Sequence, residues 1–194
     1  GCVLESNNIP NHDFADASSS FATLTSPNGL TVTIPSDPVA ADEPTPLSQR
    51  SYNAVMRNGV VLDLLSAGCD DPDSPKAVAD GNTAIGCAED DPWLLDPLGT
   101  EHKFGADEHN AHTQPDGRYH YHASPNALFV DTPTEGGSPV IGFAADGFPI
   151  YGSYFVDPDT GEVREALSGY TLKEGERPSG DGDPGDTYSG IYNN

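Results

Sequence analysis

Five of the six histidines lie between residues 102 and 122, and the last two belong to the sequence Tyr119-His120-Tyr121-His122. If this segment is a strand, alternate side chains point to opposite faces, so His120 and His122 share one face and the tyrosines share the other. His112 would return towards them through the turn Pro115-Asp116-Gly117. Three imidazoles at this spacing predict a metal site.

Zinc and copper are the metals that suit such a site. Three histidines with an open position resemble catalytic centres of either metal, and imidazole ligation alone does not separate them. Nearby carboxylates would orient the rings, and Asp107 and His109 join the candidate ligands. The alternative is that some of these histidines only hydrogen-bond to loops. His102 and His12 are interpreted as surface residues.

Carboxylates at alternate positions form a second class of candidate site. Asp157 and Asp159 lie in one such segment, and Asp181 and Asp183 in another. Hard cations use this spacing, so these segments are candidate calcium loops, although solvated turns carry the same pattern. Asp146 follows an apolar run and precedes a glycine. Its carboxylate either points towards the histidines as a further ligand or caps the turn.

Charge and composition narrow the class of protein. The formal charge is -23, with 8 Lys and Arg against 31 Asp and Glu. Nucleic acid is excluded as an expected partner because clustered cations are missing, whereas cations are favoured. No apolar run is long enough to span a bilayer. The content of 21 Gly and 18 Pro indicates a turn-rich, β-rich chain.

Three segments have hairpin chemistry. Residues 21–25 and 30–34 flank Ser-Pro-Asn-Gly, residues 52–56 and 60–65 flank Arg-Asn-Gly, and residues 151–156 return through Asp157–Gly161. Short strands at this spacing predict a mainly β, single-domain fold with a sandwich or barrel-like core and long Pro/Gly/Asp-rich loops. Residues 1–45 are assigned to an N-terminal arm and hairpin, either packed on the domain or exchanged between copies. Residues 46–194 are assigned to the domain itself.

The chain has three cysteines, so one is left over if two form a disulfide. Cys69 and Cys87 flank a polar loop, so a disulfide between them is predicted, with two free thiols as the alternative. Cys2 is left for pairing with another chain or with a further segment.

Longer motifs carry a family resemblance. They begin with Asn58-Gly59-Val60 and continue with Asp107-x-x-Asn-Ala-His-x-x-Pro-Asp-Gly-x-Tyr-His-Tyr-His122, followed by Pro125. A second block is Ile141–Gly152, and a third is Ser168-Gly-Tyr-x-Leu-Lys-x-Gly-x-Arg-Pro178. Together they resemble the YHYH-domain family. The resemblance implies a secreted, extracellular or periplasmic, mainly β domain. It assigns no activity.

Members of that family often continue beyond the segment that matches residues 188–194, so the domain is expected to lack a C-terminal segment.

The sequence is consistent with three alternative functions. The first is an extracytoplasmic domain that binds copper or zinc at its histidines and calcium at its acidic loops. The second is a structural subunit of an extracellular homopolymer or matrix. The third is a metal-dependent oxidase or hydrolase.

Overall fold

A computed structural model describes residues 1–14, 21, 23–43, 45, 47, 49, 51–70, 85–86, 93–98, 105–171 and 191–193. The chain divides into two compact units. The first, here called the main unit, comprises Gly1–Leu64 and Gly105–Gly169, and the second comprises Leu65–Phe104 and Tyr170–Asn194. The fold is mainly β, as predicted. Within the described residues its sheets do not close into a barrel, and no helix there is long and apolar enough to cross a membrane.

A six-stranded mixed sheet forms the centre of the main unit, in the order β11-β10-β3-β4-β9-β8. Its strands are β3 (Ala54–Met56), β4 (Val61–Leu62), β8 (Ala111–Thr113), β9 (Tyr119–Tyr121), β10 (Val140–Ala144) and β11 (Pro149–Tyr151). Strands β4 and β9 are parallel, and the other neighbours are antiparallel. Strands β8 and β9 therefore lie at one edge of this sheet.

Smaller sheets complete the two units. In the main unit, β1 (Cys2–Ser6) pairs with β2 (Leu30–Ile34), and β12 (Tyr154–Val156) pairs with β13 (Val163–Glu165). The second unit contains β5 (Cys69–Asp70), β6 (Ile85–Gly86), β7 (Trp93–Leu95) and β14 (Ile191–Asn193). A short 3-10 helix covers Asn126–Leu128.

The central sheet is covered on both faces because its strands alternate between two hydrophobic clusters. Met56, Tyr119 and Tyr121 belong to one cluster. Val55 and Val61 belong to the other, together with residues of β2. Strand pleating explains this division, since neighbouring residues point to opposite faces.

Two of the predicted hairpins are confirmed. The turn before Gly59 joins β3 to β4, and the turn ending at Gly161 joins β12 to β13. Both glycines have positive φ, as these turns require.

The first predicted hairpin is wrong. Strand β2 pairs with residues 2–6 over five positions, and residues 23–25 are not a strand. The segment instead contacts the turn between β8 and β9: the Ser26 amide donates to the Gly117 carbonyl at 2.9 Å. Thr25 Oγ1 and Thr113 Oγ1 lie 2.7 Å apart. These contacts give the Ser26 amide and the Thr25 hydroxyl partners outside a hairpin ladder.

The predicted disulfide concerns the second unit. Cys69 begins β5 and lies opposite Gly86, whereas Cys87 is outside the described residues. Cys2 is a free, exposed thiol on β1.

Candidate metal centre

The β8–β9 hairpin brings three predicted ligands together. His112 lies directly opposite His120 in the antiparallel register, and His122 follows β9 on the same face. Donor atoms of His112, His120 and His122 all lie within 4.8 Å of one another. The three ring centroids are 4.6 to 4.9 Å apart. We call this group the three-histidine cluster.

One pair of ring nitrogens has about the separation that two ligands of one metal ion would have. His112 Nε2 and His122 Nε2 are 3.1 Å apart. Zinc binds imidazole nitrogen at about 2.0–2.1 Å, so two tetrahedral ligands lie about 3.3 Å apart. The observed separation is therefore close to the one expected for two ligands of one zinc ion.

Backbone carbonyls orient two of the rings. Leu64 O accepts a hydrogen bond from His122 Nδ1, and Arg118 O lies 3.3 Å from His120 Nδ1. A neutral imidazole that donates from Nδ1 keeps its lone pair on Nε2. Metal sites use such a hydrogen bond from the second ring nitrogen to a carbonyl to fix the orientation of the ligating imidazole.

Burial keeps these rings neutral. It lowers the pKa of His120 to about 2, and the neighbouring rings of His122 and His112 add to that effect. It also lowers the pKa of His122 to about 4, again with a contribution from His112. Both rings are therefore unprotonated at neutral pH, which is the state that binds metals.

Asp63 adds an acidic neighbour that the sequence did not indicate. It follows β4, and its Oδ2 lies 3.9 Å from His120 Nε2 and accepts a hydrogen bond from Gln114 Nε2 at 3.0 Å. Burial raises the pKa of Asp63 to about 6. Its other oxygen, Oδ1, is buried and has no hydrogen-bonding partner among the described residues. An acceptor of this kind fits a site that takes a cation.

The other predicted ligands in the described chain lie outside this cluster. Asp107 Oδ2 accepts from the Tyr119 hydroxyl at 2.7 Å, and Oδ1 accepts from the backbone amides of His109 and Ala111. His109 lies beside His12 and Asp13, with a centroid distance of 4.5 Å between the two rings. His109 therefore lies with a different set of residues, and Asp107 belongs to neither group.

The acidic turns have partners within the protein. Asp146 is exposed in the turn between β10 and β11, where it accepts from the Phe148 amide at 3.4 Å. Asp157 binds Arg164 and accepts from the amides of Asp159 and Thr160. These contacts lower the pKa of Asp157, with the Arg164 hydrogen bond contributing most. Asp159 is exposed, and Asp181 and Asp183 lie outside the described residues.

Gly117 lies in the turn between β8 and β9, the two strands that carry His112 and His120. Its φ of 88° ends the β8–β9 turn, and an added Cβ would meet Ser26 Oγ. We expect Gly117→Ala to lower the free energy of unfolding by about 2 kcal/mol, from left-handed backbone strain and crowding. Urea denaturation checks this. The matched control is Gly29→Ala, since an added Cβ at that position has no atom within 4 Å. Equal losses of stability from the two substitutions would contradict the role of strain and crowding at Gly117.

Together the fold and the site define a mainly β domain with a histidine cluster on the edge hairpin of a mixed sheet. The family model described as "YHYH protein" matches residues 31–194, and the chain belongs to the YHYH family. The match includes both strands of the β8–β9 hairpin and also residues 31–34 of β2, which lie before the first sequence motif. No curated protein and no solved structure matches the chain.

Proposed function

We propose that this chain is an extracytoplasmic metal-binding domain whose three-histidine cluster holds zinc or copper. The observation that carries the proposal is the convergence of three imidazole donor atoms within 4.8 Å of one another. His112, His120 and His122 would be the protein ligands. Asp63 would be the nearest carboxylate, either as a fourth ligand or as a hydrogen-bonding partner of the site.

Burial supports a binding role over a purely structural one. His120 is 2% exposed and His122 is 5% exposed. Neutral imidazoles that turn lone pairs towards each other lack mutual hydrogen-bond complementarity unless one ring donates a proton. A metal ion would accept all three lone pairs at once. The arrangement therefore fits a set of metal ligands better than it fits three side chains that only pack in the core.

The metal would be a transition-metal ion of borderline hardness, the kind that binds imidazole nitrogen. Imidazole suits zinc and copper, whereas calcium and magnesium prefer oxygen ligands. The ion would carry its own positive charge next to Asp63, and it would favour the ionised form of that carboxyl group.

Two features support an extracytoplasmic location. The YHYH resemblance implies secreted, extracellular or periplasmic proteins. The net charge of -23 is easier to tolerate in solutions rich in salt or divalent cations.

Metal analysis of the purified protein tests the proposal. After chelation and reloading with zinc or copper, His120→Ala combined with His122→Ala should lose one bound ion and lower the affinity of that site by about 100-fold or more. His112→Gln is a milder companion variant because His112 is only half-buried. The control is Thr31→Ala, an exposed substitution on β2.

Unchanged stoichiometry and affinity in the double variant, with circular dichroism like that of the wild type, would overturn the proposal. Loss of metal from the control variant to the same degree would also count against it.

Calcium binding and homopolymer formation remain predictions. Both carboxylate oxygens of Asp157 already have partners within the protein. The better candidate for calcium is therefore the segment that contains Asp181 and Asp183.

A further inference from the structure

A second group of metal-ligand side chains lies on the tyrosine face of β9, away from the three-histidine cluster. It consists of His12 and Asp13 from the N-terminal segment and His109 from the loop before β8. One donor atom from each residue lies within 4.8 Å of the others. The rings of Tyr119 and Tyr121 lie 6.1 and 6.0 Å from the ring of His12. Because adjacent residues of a strand face opposite ways, the pleat of β9 separates this group from His120.

His109 is the best-placed member of this group. Its side chain is 10% exposed, and its Nε2 lies 3.2 Å from Asp13 Oδ1 and 3.8 Å from Glu108 Oε1. Its other nitrogen, Nδ1, is buried and has no hydrogen-bonding partner in the described part of the chain. The described contacts therefore commit only one of the two ring nitrogens. Two carboxylates thus lie beside Nε2, and the second ring nitrogen is buried without a described partner; carboxylates gathered at an imidazole nitrogen are an environment suited to a cation.

The N-terminal segment is held against the hairpin in the position that brings His12 to this group. Asn8 is fully buried, and its Nδ2 donates to the Tyr119 carbonyl at 2.6 Å. His12 Nδ1 lies 2.5 Å from the Asp13 carbonyl, and His12 Nε2 lies 2.5 Å from the Tyr121 hydroxyl. That hydroxyl also accepts a hydrogen bond from Asn58. If a metal took His12 Nε2, Tyr121 would keep Asn58 as a partner.

We propose that His12, Asp13 and His109 form a second metal site that takes zinc and fastens the N-terminal segment to the β8–β9 hairpin. Two imidazoles and one carboxylate are a ligand set that zinc uses in proteins. Asp13 is 75% exposed on its side chain, so the ion would be reached from solvent and would keep open positions for water. Glu108 supplies additional negative charge near the ion.

The site would link residues that lie far apart in sequence. His109 and Asp13 are separated by 96 positions. A metal that binds only when both segments are docked stabilises the docked state in proportion to its occupancy. Zinc would thus control how often the N-terminal segment opens.

The first test is a zinc titration of the chelated full chain, followed by metal analysis. Wild-type protein should bind one zinc at each of the two groups. His12→Asn combined with Asp13→Asn should lose one of them and keep the ion of the three-histidine cluster. His120→Ala combined with His122→Ala should show the reverse pattern. The matched control is Asp42→Asn, which removes an exposed carboxylate elsewhere and should leave both ions in place.

The second test is hydrogen exchange of the backbone amides of residues 7–14 other than Pro10. At free zinc about ten times the dissociation constant, exchange of these amides should slow by about tenfold in the wild type. The same slowing is expected in the variant that lacks the three-histidine cluster, so failure of the proposed function would not hide this site. If the His12 and Asp13 variant binds as much zinc as the wild type and shows the same slowing, the second site is overturned. If wild-type exchange does not respond to zinc, the second site is likewise overturned, and His109 and Asp13 share only a hydrogen bond.

Discussion

Acidification from pH 7 to pH 4 is expected to lower the free energy of unfolding of the metal-free protein by about 4 kcal/mol. The cause is the burial of neutral histidines. The pKa of His120 is about 2 and that of His122 is about 4 in the folded protein, against an ordinary value of 6.5. Below pH 6.5 these two histidines are protonated in the unfolded chain but stay neutral in the folded chain until the pH reaches their lowered pKa values. Each histidine therefore lowers stability by about 3 kcal/mol at pH 4.

Asp63 acts in the opposite direction. Its pKa is raised from 3.8 to about 6 in the folded protein, so the folded chain binds its proton first as the pH falls. Between pH 6 and pH 4 this returns about 2 kcal/mol of stability. Asp157 has a lowered pKa, and its contribution is lost only as the pH falls below the ordinary carboxyl value, outside this window.

Urea denaturation of the chelated protein at several pH values measures this effect. The variant His120→Asn removes one of the two histidines with a lowered pKa. It should reduce the fall in the free energy of unfolding between pH 7 and pH 4 to about 1 kcal/mol. Asp63→Asn removes the opposing group and should increase the loss to about 6 kcal/mol. The two variants thus have effects of opposite sign. Parallel pH profiles for the wild type and both variants would show that these groups do not control acid stability.

Replacing Asp107 with alanine should lower the free energy of unfolding by about 4 kcal/mol. Asp107 is 5% exposed and accepts three hydrogen bonds, from the Tyr119 hydroxyl and from the amides of His109 and Ala111. Alanine leaves a buried hydroxyl and two buried amides without their acceptor. It also opens a cavity beside the strand that carries His112.

Asp107→Asn separates these contributions. Its side-chain oxygen still accepts from the two amides, and its amide group donates to the Tyr119 oxygen, so we expect a smaller loss of about 1–2 kcal/mol. Both variants are compared with the wild type by urea denaturation at pH 7. A surface control is Asp42→Ala, which removes an exposed carboxylate outside the β8–β9 hairpin. A loss below about 1 kcal/mol for Asp107→Ala would mean that the hydrogen bonds of this carboxylate are replaced by water.

These results bear on the histidine-rich motif as a whole. Its acidic first residue and its first tyrosine are partners in the core, whereas His112, His120 and His122 point to the other face of the hairpin. Asp107 is therefore interpreted as a positioning residue for the hairpin, and its prediction as a metal ligand has no geometric support from its neighbours.

The wrong prediction of a hairpin between residues 21–25 and 30–34 also has a physical cause. An Asn-Gly turn signal describes the chain reversal and does not choose the partner strand. Strand β2 finds residues 2–6, and residues 25 and 26 contact the β8–β9 hairpin. Local turn chemistry cannot weigh such competing long-range pairings.

Local sequence was sufficient for the mainly β class, for two hairpins and for the common face of His112, His120 and His122, because pleat period and turn geometry depend on adjacent residues. Only the tertiary structure decided what surrounds that face. The parallel pairing of β4 with β9 places Asp63 and the Leu64 carbonyl beside the histidines, and docking of the N-terminal segment places His12 and Asp13 beside His109. These neighbours are distant in the chain, and they meet only when loops close and a shared core is buried.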